Sequence, residues 1–189
     1  MQAARGTSLS PADSAESSSV GVRRRHVTTF ALVALVLYSA DQVTKHLAVA
    51  HLTGEPYKPL VGDLLQLHLT RNPGAAFSTG TAFTEVLTGV AIVAVGVVLW
   101  LSRRVGSTVW AVALGLLLAG VSGNLTDRML REPGPFRGHV IDFLMLPNWP
   151  IFNVADMCIN VAAGLILVQA FRGIKLDGSR VPTEGPADD

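Results

Sequence analysis

Four apolar segments, at about Thr28–Ala50, Phe83–Leu101, Thr108–Thr126 and Asn153–Phe171, set the strongest limit on what this chain can become. A helix rising about 1.5 Å per residue needs roughly 20 residues to cross a hydrocarbon core about 30 Å thick, and each segment has that length. The 189 residues make one domain, 49% hydrophobic and only 15% charged, a balance foreign to ordinary soluble proteins. Four spans is an even number, so both termini are expected on one side of the membrane.

The basic residues choose that side. Arg23, Arg24 and Arg25 precede the first span, Arg103 and Arg104 join the second to the third, and Arg172 and Lys175 follow the fourth. The positive-inside rule makes this face cytoplasmic. The connections at 51–82 and 127–152 then lie outside, although Lys58, Arg71, Arg128, Arg131 and Arg137 make the bias imperfect. Residues 1–22, rich in Ser and Ala and without periodicity, are expected to be a disordered cytoplasmic tail and not a cleavable signal peptide. Residues 23–175 form the membrane domain, and 176–189 are expected to be a second disordered cytoplasmic tail. A net charge of +1 gives no reason to expect nucleic acid. The single cysteine, Cys158, excludes an internal disulfide and reads as a small hydrophobe within an apolar stretch.

Both outer connections are long for simple links. In LLQLHLTRN, Leu65, Leu67 and Leu69 alternate with Gln66, His68 and Thr70, the period of a half-buried strand. HVIDFLML in the second connection is a candidate for another. The expected fold is an all-α membrane protein, four transmembrane helices carrying a small extracytoplasmic β-element.

Polar residues within or beside the spans carry the functional signal, because a carboxylate near hydrocarbon costs several kcal/mol unless it has a partner or a task. Asp156 opens the fourth span and Asp142 lies shortly before it. Two carboxylates converging at a membrane boundary suit a pair that shares one proton and activates water. Asn153, Asp156 and Asn160 form one polar stripe. Asp41 and Lys45, four apart, read as an ion pair near the interface with Lys45 snorkelling outward, or as a contact to substrate or headgroup. Asn124, Asp127 and Arg128 share a face, with Asp127 and Arg128 compensating each other or reaching neighbouring helices. Gly120 and Gly123 permit close helix approach. In TRNPGAAFS, Asn72 offers an amide to a substrate carbonyl, and Gly74 lets an extended peptide near the backbone.

Taken in order, DQVTK (41–45), NPGAAFS (72–78), GNLTDR (123–128), VIDF (140–143) and FNVAD (152–156) resemble the lipoprotein signal peptidase family, signal peptidase II. The resemblance covers about 28–171. It implies an aspartyl endopeptidase of the bacterial cytoplasmic membrane that removes signal peptides from diacylglyceryl-modified prolipoproteins, cutting before the lipidated cysteine. It implies Asp142 and Asp156 as the catalytic pair. It places Asp41, Lys45, Asn72, Asn124, Asp127, Arg128 and Asn153 around them, lining or bracing the site. No metal and no cofactor are expected. The expected partners are lipid-modified signal peptides and membrane lipid, and the protein is expected to be monomeric. The connection LREPGPFRG (130–138) is longer than the family usually has.

A non-catalytic membrane scaffold that keeps these polar patches is one rival reading, and two more rest on particular residues. A proton-coupled transporter would use Asp41, Asp127 and Asp156 as a relay, but the acids gather towards one face and no inverted repeat is evident. Gly120-Val121-Ser122-Gly123 matches the GxSG of rhomboid-type proteases, yet no histidine sits mid-span to act as base.

Overall fold

A computed structural model describes the backbone of residues 11–74 and 82–181. Four helices form the body: α1 (Pro11–Leu52), α2 (Ala82–Ser102), α3 (Thr108–Leu130) and α4 (Val154–Phe171). All four are long and apolar enough to cross a membrane. Helices suit that setting because every backbone N–H and C=O is satisfied within the segment. The lipid-facing surfaces keep large apolar side chains exposed, among them Leu35 and Val36 on α1, Val90 and Val93 on α2, and Leu167 on α4. By contrast α3 sits centrally, packed against α1, α2 and α4, and it buries small residues such as Ala111, Ala113, Ala119, Gly120 and Gly123.

At one end of the bundle lies a three-stranded antiparallel sheet in the order β1 (Lys58–Val61), β2 (Leu65–Asn72), β3 (Val140–Met145). The two strands expected from the sequence are β2 and β3. The third, β1, was not anticipated: KPLV is four residues long and contains Pro59, which an edge strand tolerates because it need not donate on its outer side. Leu67 and Leu69 of β2 pack with Ala48, Leu52, Ile141 and Phe143, so the alternating leucines seal the sheet onto the end of α1. At the opposite end, Phe30, Val98, Val105, Ala111 and Leu114 form a second apolar core.

Two expectations about the tails change. The helix α1 begins at Pro11, so 11–22 has helical backbone where a tail without structure was expected; proline fits a first helical turn, where its missing N–H is no loss. Residues 1–10 lie outside the described residues, as do 182–189. Between them, the stretch to Val181 is ordered beyond the expected boundary at 175. Ile174 bridges Arg180, Gly106 N–H donates to Leu176 O at 3.0 Å, and Trp110 Nε1 donates to Ile174 O at 3.1 Å. A Cβ at Gly106 would stand 2.1 Å from Asp177 O, so only glycine lets this turn dock beneath the α2–α3 connection.

Candidate functional site

The site forms where β3 enters the bundle beside the first turn of α4. In register, Thr70 of β2 faces Asp142 and Asn72 faces Val140. The Asn72 side chain reaches across, and its Nδ2 donates to Asp142 Oδ2 at 2.8 Å. Its Oδ1 accepts from Gly74 N at 2.8 Å. Gly74 has a φ of +109°, which any side chain would strain, and a Cβ there would meet Leu87 Cδ1 at 2.8 Å. Ala75 to Ser78, the rest of the loop motif, lie outside the described residues.

Asn153 joins the two aspartates. It is the N-cap of α4, and its Oδ1 accepts from Asp156 N at 3.0 Å while Asp156 Oδ2 accepts from Asn153 N at 3.1 Å. This reciprocal capping box fixes the start of the helix. The same asparagine's Nδ2 donates to Asp142 Oδ1 at 2.6 Å. Asn124 on α3 completes the bracket, donating from Nδ2 to Asp156 Oδ1 at 2.8 Å. Asp142 is buried, only 2% exposed, whereas Asp156 is half-buried. Burial pushes the Asp142 carboxyl up to about 6; the hydrogen bonds from Asn72 and Asn153 oppose the shift, and the neighbouring charge of Asp156 adds to it.

Beneath this layer lies a fully buried ionic cluster. Lys45 Nζ stands 2.9 Å from Asp41 Oδ2 and 2.8 Å from Asp127 Oδ2, and it donates to Asn124 Oδ1 at 2.9 Å. Lys45 therefore does not snorkel. Its outward route is closed because α3 brings a second carboxylate and an amide oxygen to the ammonium, which give the buried charge better company than the interface would. Asp41 Oδ1 also accepts from Ala155 N of α4 at 2.9 Å, and Asp127 Oδ2 from Ile141 N of β3 at 3.2 Å. One cluster thus ties α1, α3, α4 and the sheet together. Through Asn124, whose oxygen faces Lys45 and whose amide faces Asp156, it is joined to the aspartate layer.

Asp127 and Arg128 form no salt bridge with each other, and of the two expectations for them it is the reach of Asp127 to a neighbouring helix that the structure shows. Asp127 is paired with Lys45 and with Arg131, one helical turn further on. Arg128 turns towards the aspartate layer, where its charge acts on Asp156 and Asp142 as well as Asp127, and its Nε is buried without a hydrogen-bond partner. Arg131 was missed in the sequence, although its spacing of four from Asp127 was there to read. The long connection after α3 folds back on it: Gly138 N–H donates to Arg128 O at 3.0 Å, and a Cβ at Gly138 would lie 2.2 Å from Asp127 O.

The two glycines expected at a helix contact sit in one. A Cβ at Gly120 would be 2.5 Å from Ala155 O, and one at Gly123 would be 2.4 Å from Asp41 Oδ2. Gly120→Ala must therefore push α4 away from α3, and overpacking of this kind costs about 1–3 kcal/mol. Thermal unfolding in detergent should show the loss, together with reduced cleavage, because α4 carries Asp156. Ala at Gly96, where a Cβ meets nothing within 4 Å, should change neither.

Membrane-length helices, a roofing sheet and two bracketed carboxylates fit the class of membrane-embedded aspartic peptidases. The model for signal peptidase (SPase) II matches residues 33–172, and the chain belongs to that family. It is 46% identical over 177 residues to a lipoprotein signal peptidase of Leifsonia xyli, covering 93% of this chain and 82% of that one. It is 43% identical to the lipoprotein signal peptidase of Streptomyces griseus, covering 84% and 81%. A bacterial membrane enzyme solved by the in meso method superposes with a TM-score of 0.69 at 25% identity, covering 77% of this chain and 94% of that one.

Proposed function

We infer that the chain removes signal peptides from diacylglyceryl-modified bacterial prolipoproteins, cutting before the lipidated cysteine, with Asp142 and Asp156 as the catalytic pair. The observation that carries the reading is the bracket of Asn72, Asn124 and Asn153, which holds two carboxylates together at the membrane boundary of a signal peptidase II family member. Two close carboxylates do not readily both ionise. We assign the proton at rest to Asp142, the more deeply buried of the two. The ionised member takes a proton from water, whose oxygen attacks the scissile carbonyl. The protonated member donates to the carbonyl oxygen, and a proton then passes to the leaving amine as the bond to it breaks. The substrate's signal helix lies among the spans and its acyl chains in the bilayer. Purified protein should cleave a diacylglyceryl-modified precursor and spare the unmodified one; equal rates on both would refute this recognition.

The reading makes a pH dependence. Above the upper apparent pKa the last shared proton is lost, so kcat/KM should fall as pH rises through about 6. Asn72 favours the ionised carboxylate through its hydrogen bond, so Asn72→Ala should raise that pKa and move the falling limb to higher pH. A pH profile of the variant checks the sign. The same variant should weaken cleavage of different precursors to similar degrees, because Asn72 acts through Asp142, which every precursor meets alike. Folding carries the matching sign: the folded chain holds the Asp142 proton more tightly than the unfolded one, so this group's contribution to stability falls as pH rises from 3.8 to about 6.

We propose the bacterial inner membrane as the site of action, with the sheet-bearing end outside, both termini cytoplasmic, and a monomer as the working unit. In a Cys158→Ser background, a membrane-impermeant thiol reagent should label Asp63→Cys from outside intact cells and Arg103→Cys only after permeabilisation. The reverse pattern would overturn the orientation.

A further inference from the structure

The end of the bundle remote from the sheet holds a feature that peptide cleavage does not use. Between the start of the membrane part of α1 and the end of α2 lies a cavity of about 530 Å³ lined by Arg23, Arg24, Val27, Thr28, Ser102 and Arg103. Arg23 is set in place by a hydrogen bond from Nη2 to Arg103 O at 2.8 Å across the two helices. The side chains of Arg24 and Arg103 are exposed and make no hydrogen bond or ion pair among the described residues. Arg104, the next cation, is drawn away over the Trp100 ring, 4.3 Å from its centroid. Among the described side chains the acid at this end is Asp177, and its carboxylate is engaged by Ser179 N and Oγ at 2.9 and 2.7 Å. Three guanidinium groups thus border one cavity with no carboxylate among the described residues to neutralise them.

We propose that this cavity binds the phosphodiester headgroup of an anionic membrane phospholipid. Guanidinium groups pair with phosphate oxygens through two parallel N–H bonds, and they do so best where the cations are held in place beforehand. The position selects a lipid over a soluble phosphate. Val27 forms an apolar wall, and exposed Trp100 stands on the neighbouring turn of α2, the level at which indole rings mark a membrane interface. A headgroup entering here can leave its acyl chains along the exposed apolar faces of α1 and α2. The bound lipid would clamp α1 to the α2–α3 connection at the end opposite the aspartates.

The test uses the full chain in a neutral detergent. Mixed micelles containing phosphatidylglycerol should raise its Tm and remain bound in native mass spectrometry, while phosphatidylcholine micelles should do neither. Arg24→Gln with Arg103→Gln, whose side chains support no other contact, should weaken phosphatidylglycerol binding about tenfold or more, since each arginine at such a surface contributes on the order of 1 kcal/mol. Arg172→Gln removes a charge from the same end but outside the cavity, and should weaken binding far less. Equal loss in that control would show diffuse attraction in place of a site and overturn the proposal. So would an unchanged double variant, or inorganic phosphate reproducing the whole effect at the same phosphate concentration.

Discussion

Asp142→Asn and Asp156→Asn are each expected to lower cleavage by at least about 10³-fold while leaving a folded, membrane-inserted protein, since proton transfer by a placed carboxyl typically contributes 10²–10⁴ and in the proposed mechanism the pair also activates water. Asparagine keeps the shape but cannot exchange the proton. The two variants should differ in their side effects. At Asp142, both oxygens accept from amides of Asn72 and Asn153, so the new NH₂ must face a donor. A modest loss of stability should accompany the lost activity. At Asp156, Oδ2 also accepts the Asn153 N–H of the capping box, and asparagine can keep that bond through its oxygen only by giving up the one from Asn124. A precursor-cleavage assay beside thermal unfolding separates chemistry from structure. Retained activity in either variant would reassign the pair.

Lys45→Met should be the most destabilising single substitution at this site. It removes the one ammonium set between Asp41 and Asp127, leaving Asp41 buried without a cation and Asp127 with Arg131 alone, a loss of about 3–5 kcal/mol. A sharp fall in monodisperse protein and in Tm is the expected observation. Adding Asp41→Asn to Lys45→Met should recover part of the loss, because the neutral amide no longer needs the cation; a purely additive double variant would show that the two side chains are not coupled. Asp127→Asn should also destabilise, chiefly through Lys45, Arg131 and the Ile141 N–H.

The helices were legible because spanning a bilayer demands about 20 apolar residues in a row, a signal few other folds produce. The β2 strand announced itself through alternating leucines. By contrast β1 could not, since four residues including Pro59 carry no period. Within an element, side-chain spacing was a sound guide: Asp41 and Lys45 meet at i,i+4, and Asn153 and Asp156 at i,i+3. Spacing does not choose between the two alternatives for Asp127 and Arg128, mutual compensation or reach to neighbouring helices. Asp127 and Arg128 are adjacent and so point about 100° apart on the helix, while Arg131 comes back to the same side. The burial of Lys45 was out of reach, because nothing in α1 tells which residues of α3 will arrive beside it. Backbone donors such as Ala155 N and Ile141 N leave no mark in the sequence at all.

The hydrogen bond from Ala155 N to Asp41 joins residues 114 positions apart, the first span to the last. During synthesis α1 reaches the membrane while the segment that will become α4 is still untranslated, so Asp41 and Lys45 have only each other and the amide of Gln42. Asp127 arrives with α3, and Ala155 arrives last. A chain halted after three helices would hold unfinished polar contacts in lipid, an open target for membrane quality-control proteases. Completion of the cluster then coincides with delivery of Asp156, so the polypeptide stops looking immature at the moment the second aspartate of the pair is in place.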